Sequence, residues 1–145
     1  MAHNPHTFVA SYIILVQDAK VLLSRRHNTG FEDGKYSLPA GHAEPSESFT
    51  QALIREAREE IGIDLPVKNA KVSHVMHRKS PEREYVDVYY LADEWTGTPE
   101  NKEPEKCDDL SWFPVDNLPE NTIPYVRQAI ENSLNTIPYS EFGWK

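Results

Sequence analysis

The sequence predicts an α/β protein in which helices cover both faces of a mixed β-sheet. Three observations carry this reading. Stretches of strand and helix character alternate in blocks, β-rich, helix, β-rich, helix. Both helical stretches carry a single apolar stripe at helical spacing. The run Ile13-Ile14-Leu15-Val16 is continuously apolar, the pattern of a central strand covered on both faces.

Residues 8–16 are rich in β-branched and aromatic side chains and read as the first strand. Gln17-Asp18-Ala19-Lys20 turns the chain, and residues 21–26 return as the hairpin partner. A polar loop follows over 27–35, broken by Gly30 and Gly34. Tyr36-Ser37-Leu38 is a short strand stopped by Pro39, and 39–45 is a loop. Ser46 is the expected N-cap of the first helix, with Glu47 in its first turn facing the helix dipole. Gly62 ends that helix as a left-handed stop, and Pro66 forbids its continuation. Residues 67–78 and 84–92 form a hairpin around Lys79-Ser80-Pro81-Glu82. In its second strand Tyr85, Asp87 and Tyr89 share one face, and Val86, Val88 and Tyr90 the other. Residues 95–109 read as irregular and 110–114 as a last short strand. Ile123, Val126, Ile130 and Leu134 mark a second amphipathic helix over 121–135, and the aromatic tail 139–144 is expected to pack.

At 145 residues one domain, 1–145, is expected, and it can bury a core without staples. A formal net charge of −8 argues against a nucleic-acid polymer or an anionic membrane as partner, because both need a basic footprint. A small phosphorylated ligand stays compatible if a metal neutralises it locally. Cys107 is the lone cysteine, so no intrachain disulfide forms. No apolar run reaches membrane-span length and the N-terminus lacks a signal-peptide core, so the cytoplasm is the expected location.

Chemistry concentrates in residues 41–63. Glu56, Glu59 and Glu60 fall within roughly a 100° arc of one helix, while Leu53, Ala57 and Ile61 occupy a separate apolar arc. Like charges at i, i+3 and i, i+4 repel. A helix shaped only for stability would alternate signs. Clustered carboxylates are what a hard divalent cation needs. Other groups carry two readings. Arg25 and Arg26 end a strand, either as solvated side chains or with one of them gripping a phosphate bidentately. His74 and His77 sit on one strand at odd separation and face opposite ways. Either can enter a cleft, though satisfied strand histidines are commoner. No Cys/His cluster has zinc spacing, and Cys107 has no assigned base that would make it a nucleophile.

Written as a pattern, Gly41, Glu47, Arg55, Glu56, Ala57, Glu59, Glu60, Gly62 and Ile63 spell G-x5-E-x7-R-E-U-x-E-E-x-G-U, with U aliphatic. This resembles the signature box of the Nudix hydrolases at every fixed position. The hairpin before it and the strand and helix after it are also similar to that family. The resemblance implies a Nudix-type α/β/α sandwich with a mixed β-sheet between helices. It implies hydrolysis of a pyrophosphate bond in a nucleoside diphosphate linked to a group X, with Mg²⁺ or, in its place, Mn²⁺. Carried over by position, Glu56, Glu59 and Glu60 resemble the metal ligands, joined by the carbonyl of Ala40 or Gly41. Arg55 and Glu47 resemble a salt-bridged pair that orients the site, and Arg58 reads as solvated surface. The segment 101–107 resembles the loop that supplies a further carboxylate in members that cleave nucleoside triphosphates. Glu103 matches best and Glu105 is the alternative. Glu59, Glu60, Glu103 and Arg55 are thus the catalytic candidates. Arg26 and Asn121 are the substrate-binding candidates, with an N-cap as the competing reading of Asn121. The expected substrate is a nucleoside triphosphate cleaved to a monophosphate and pyrophosphate. Alternatives are a nucleoside-diphosphate sugar or ADP-ribose, or a non-catalytic nucleotide sensor, although such sensors usually lose box carboxylates that this chain keeps. The expected partner is a small-molecule nucleotide, and the chain is expected to act as a monomer or a homodimer.

Overall fold

The computed structural model describes residues 7–145. Its central strand is β1 (Thr7–Gln17), which runs parallel to β6 (Glu84–Ala92) from Thr7↔Glu84 to Leu15↔Ala92. Beyond β6 lie β5 (Lys71–Lys79), antiparallel to it, and β8 (Tyr139–Phe142), parallel to β5. On its other side β1 forks. Its last residues pair with β2 (Lys20–Arg26) at Val16↔Val21, while Ser11 and Tyr12 pair with β4 (Ala40–Gly41). From the fork β2 carries β3 (Tyr36–Ser37) and β7 (Cys107–Pro114) as a separate wing. The sheet is mixed, as expected.

The two helices cover opposite faces. Helix α1 (Phe49–Ile61) presses Leu53, Ala57 and Ile61, each 2% exposed, onto Ile13, Leu15, Val88 and Tyr90. Helix α2 (Pro124–Leu134) packs Val126, Ala129 and Ile130 against Tyr12, Ile14, Met76 and Tyr89. Alternate residues of β1 therefore serve the two cores, which is why its central run is apolar throughout. Burying each large aliphatic side chain contributes about 1.5–3 kcal/mol. The alternation of β6 is as predicted, and α1 and α2 complete an α/β/α sandwich.

Several boundaries differ from the sequence expectation. The N-cap of α1 is Ser48, not Ser46: the Ser48 hydroxyl accepts from the Gln51 amide, and the Gln51 side chain accepts from the Ser48 amide. This reciprocal box outcompetes Ser46, which turns through a positive φ of 68°. Glu47 consequently lies ahead of the helix, outside its first turn. Helix α2 begins at Pro124, not near 121. Proline at the first helical position fixes its own φ and forces Ile123 to be extended, so Asn121 is not the N-cap. Residues Val67–Asn69 form a 3₁₀ turn before β5, because Pro66 leads into local i→i+3 bonding. Strand β7 starts three residues earlier than the predicted 110, since its first residues extend the ladder on β2. The tail packs: β8 joins the sheet and Trp144 Nε1 donates to the His77 carbonyl. No helix of the described residues is long and apolar enough to cross a membrane.

Candidate active site

The fork in the sheet opens a cavity of about 690 Å³ between the β2 wing, the β4 turn and the polar face of α1. Glu56, Glu59, Glu60 and Glu103 of the predicted set stand on its wall. Burial of Leu53, Ala57 and Ile61 fixes the rotation of α1, and the same rotation turns Glu56, Glu59 and Glu60 toward the cavity. Gly62 stops the helix at φ 70° and donates its amide to the carbonyls of Ala57 and Arg58.

Glu60 sits deepest. Its Oε2 accepts from the Ala40 amide at 3.2 Å, and its charged neighbours Glu56 and Glu103 carry the same sign. Burial, then those two carboxylates, push the Glu60 carboxyl up to about 8 despite the Ala40 hydrogen bond. Glu56 lies against β4. A Cβ placed on Gly41 would fall 2.3 Å from Glu56 Cγ and 2.5 Å from its carboxyl carbon, so only glycine leaves Glu56 room here. Glu59 is more exposed, at 58% of its side chain.

Arg55 ties these groups together. Its Nε and Nη2 donate to the two oxygens of Glu47 at 2.8 and 3.0 Å, a bidentate pair. Its Nη1 donates to Glu56 at 2.8 Å and to Glu59 at 3.1 Å, and Nη2 reaches the His42 carbonyl at 3.3 Å. The bond from Arg55 holds the Glu47 carboxyl below its ordinary range, and those carboxylates raise the guanidinium still further. The Arg55–Glu47 pairing is thus present, made possible because Glu47 precedes the helix and can reach back over it.

The donor set suits a hard divalent cation: carboxylate oxygens gathered beside the Ala40–Gly41 backbone, with Glu60 half-buried beside like charges. Among the described residues no three His, Cys, Asp or Glu side chains converge on one point as they stand. Glu56 and Glu59 instead both accept from Arg55 Nη1. The residues fit the cation in the chemistry of their donors.

The remaining predicted residues divide. Glu103 lines the cavity, whereas Glu105 is exposed and does not. The Glu103 carbonyl accepts from the amides of Lys106 and Cys107, and its own amide donates to Asn101 Oδ1 at 3.1 Å. Arg26 also lines the cavity, with Nε donating to the Phe31 carbonyl at 2.7 Å and the guanidinium 5.4 Å from the Phe31 ring. Asn121 stands apart from the cavity wall and donates to the Gly34 carbonyl at 2.9 Å, bracing the 27–35 loop. Arg58 pairs with Asp64 at the surface, both 65% exposed. His74 and His77 do face opposite ways. His74 is fully buried, with Nδ1 donating to the Ile137 carbonyl and Nε2 2.7 Å from Ser140 Oγ. Cys107 donates to the Asp109 carbonyl, and burial pushes its thiol up, away from nucleophilic use. Sequence reasoning passed over Lys106 and Asn101. Both lie on the wall beside Glu103, and their signal was their place in the segment already singled out.

The family model for the NUDIX domain matches residues 6–132. The NAD-capped RNA hydrolase NudC of Stutzerimonas stutzeri is 31% identical over 132 residues, covering 91% of this chain and 44% of that protein. The CTP pyrophosphohydrolase of Escherichia coli is 41% identical over 61 residues, 42% of this chain and 45% of that protein. The chain thus aligns with less than half the length of either relative. The crystal structure of the MutT NUDIX hydrolase from Burkholderia pseudomallei superposes with a TM-score of 0.80 at 30% identity, covering 87% of this chain and 97% of that one. With the family model spanning most of the chain and the fold shared over 87% of it with a solved member, this chain belongs to the Nudix family.

Proposed function

We propose that this cavity hydrolyses the pyrophosphate linkage of a nucleoside diphosphate joined to X, and that the substrate is a nucleoside triphosphate cleaved to a monophosphate and pyrophosphate. One observation carries the reading: Glu60 is half-buried beside the like charges of Glu56 and Glu103, in a cavity whose wall also bears Glu59. Such an arrangement is costly for folding and useful to a cation-dependent hydrolase. Glu56, Glu59 and Glu60, with a backbone carbonyl of Ala40 or Gly41, would hold Mg²⁺, or Mn²⁺ in its place. When bound, a divalent cation neutralises phosphate oxygens and lowers the pKa of the attacking water.

The chain's own residues do the rest. Arg55 positions Glu56 through Nη1 while Glu47 fixes the guanidinium plane. Glu103, on the opposite loop, lines the same cavity as Glu60 and accepts the water's proton, with Glu59 as the alternative acceptor. Arg26, on the β2 wing, has both Nη groups uncommitted to any carboxylate among the described residues and offers them to a phosphate. The triphosphate is favoured by the loop carrying Glu103 and by the relative named for CTP. A second reading, a diphosphate flanked by a second nucleoside or sugar, is favoured by the NudC relative.

A panel of nucleoside triphosphates, nucleoside-diphosphate sugars, ADP-ribose and NAD, assayed with Mg²⁺ and read by phosphate and pyrophosphate release, separates these. Turnover of triphosphates with release of pyrophosphate is expected. Turnover confined to NAD, ADP-ribose or the nucleoside-diphosphate sugars selects the second reading, and none at all leaves a nucleotide sensor.

A further inference from the structure

The cavity's cations are unequally employed. Arg55 is saturated by Glu47, Glu56 and Glu59. Outside its wall, Arg25 is bound to Asp108 at 2.7 Å and Lys102 to Glu100 at 2.9 Å. Among the described residues that line the cavity, Arg26 and Lys106 are the two cations without a carboxylate partner.

They are also neighbours. Arg26 pairs with Cys107 across the β2–β7 ladder, and the Lys106 carbonyl accepts from the His27 amide at 2.9 Å. The Lys106 amide donates to the Glu103 carbonyl at 2.9 Å, and Asn101 Nδ2 donates to the Cys107 carbonyl at 2.7 Å. The backbone under Lys106 is therefore held on both sides, while its side chain is exposed. Two uncommitted cations, rigidly mounted on the β2–β7 wing, face α1 with its carboxylates across the cavity. A polyphosphate threaded between those walls meets cation-binding carboxylates on one side and Arg26 with Lys106 on the other.

We propose that Lys106 is a specificity-determining residue whose ammonium pairs with the terminal phosphate of a nucleoside triphosphate. This rests on the hydrolase reading above and names what selects its substrate. A terminal phosphate carries a second ionisation with a pKa of about 6, which an internal phosphodiester lacks. A point charge such as lysine responds to that extra charge, whereas the planar fork of Arg26 grips an internal phosphate equally well in either substrate class.

The test compares wild type, Lys106→Met and Lys106→Arg. Calorimetry measures binding, with Mg²⁺ present, of methylene-bridged analogues of a nucleoside triphosphate and of ADP-ribose. Lys106→Met should weaken triphosphate binding about tenfold, the lower end for a hydrogen bond to a charged group, and move ADP-ribose binding less than twofold. Lys106→Arg should retain triphosphate binding, and the penalty should shrink as salt is raised. Unchanged triphosphate binding, or equal losses on both ligands, overturns the role of Lys106. Wild-type turnover of ADP-ribose without any triphosphate overturns instead the substrate reading on which it rests. The two failures are read in separate measurements, one of binding and one of turnover.

Discussion

Replacing Glu60 by glutamine should stabilise the metal-free protein while abolishing its activity. Burial among Glu56 and Glu103 lifts the Glu60 carboxyl from its ordinary 4.5 to about 8, so the folded state keeps a proton that the unfolded chain releases. The folded state binds the extra proton between pH 4.5 and 8, and stability contributed by this group falls as pH rises through that window. At pH 7 the held proton costs about 1.4 kcal/mol for each pH unit above 4.5, an upper value of about 3 kcal/mol. Glutamine does not titrate, and its side-chain carbonyl keeps the Ala40 hydrogen bond. Urea unfolding in EDTA should therefore show the variant gaining on wild type between pH 5 and pH 8, with the two converging below pH 4.5. Turnover with Mg²⁺ should drop by two orders of magnitude or more (about 3 kcal/mol at the transition state). Parallel stability profiles across that window would refute the account of Glu60, as would a variant that retains full rate.

Two further outcomes follow from the same geometry. Gly41→Ala should impair turnover and Mn²⁺ binding by titration calorimetry, because its Cβ takes the space of Glu56; with no positive φ recorded at Gly41, unfolding should change by no more than about 2 kcal/mol. Asp87→Asn should destabilise by about 3–5 kcal/mol in urea, with the KM for substrate nearly unchanged. It leaves Arg78, whose side chain is 6% exposed, buried between the rings of Tyr85 and Tyr125 without its carboxylate.

What could be read in advance follows from what the chemistry constrains. A carboxylate platform needs its acids at i, i+3 and i+4 with an apolar stripe elsewhere, so α1 and its residues were legible from spacing alone. The same holds for β1, whose two buried faces leave a continuous apolar run. Groups assembled from distant segments left no such mark. Arg78, Asp87 and Tyr125 meet only through strand register and the docking of α2, and no local pattern records that. Caps were misplaced by two or three residues because Ser46 and Ser48 are chemically alike. The Ser48–Gln51 pairing decides between them, and Pro124 decides the start of α2. Asn121 was placed near the substrate by resemblance, yet its amide is spent on Gly34. Lys106 drew no notice because a single lysine in a polar loop is unremarkable until the fold sets it beside Arg26.

In the proposed function these carboxylates support metal-dependent cleavage of a pyrophosphate bond. Phosphorus NMR of a nucleoside triphosphate incubated with the protein tests it most directly. With Mg²⁺ the account predicts nucleoside monophosphate and pyrophosphate in equal amounts, and no product in EDTA or with Glu60→Gln. Nucleoside diphosphate with orthophosphate, or cleavage that persists in EDTA, would contradict it.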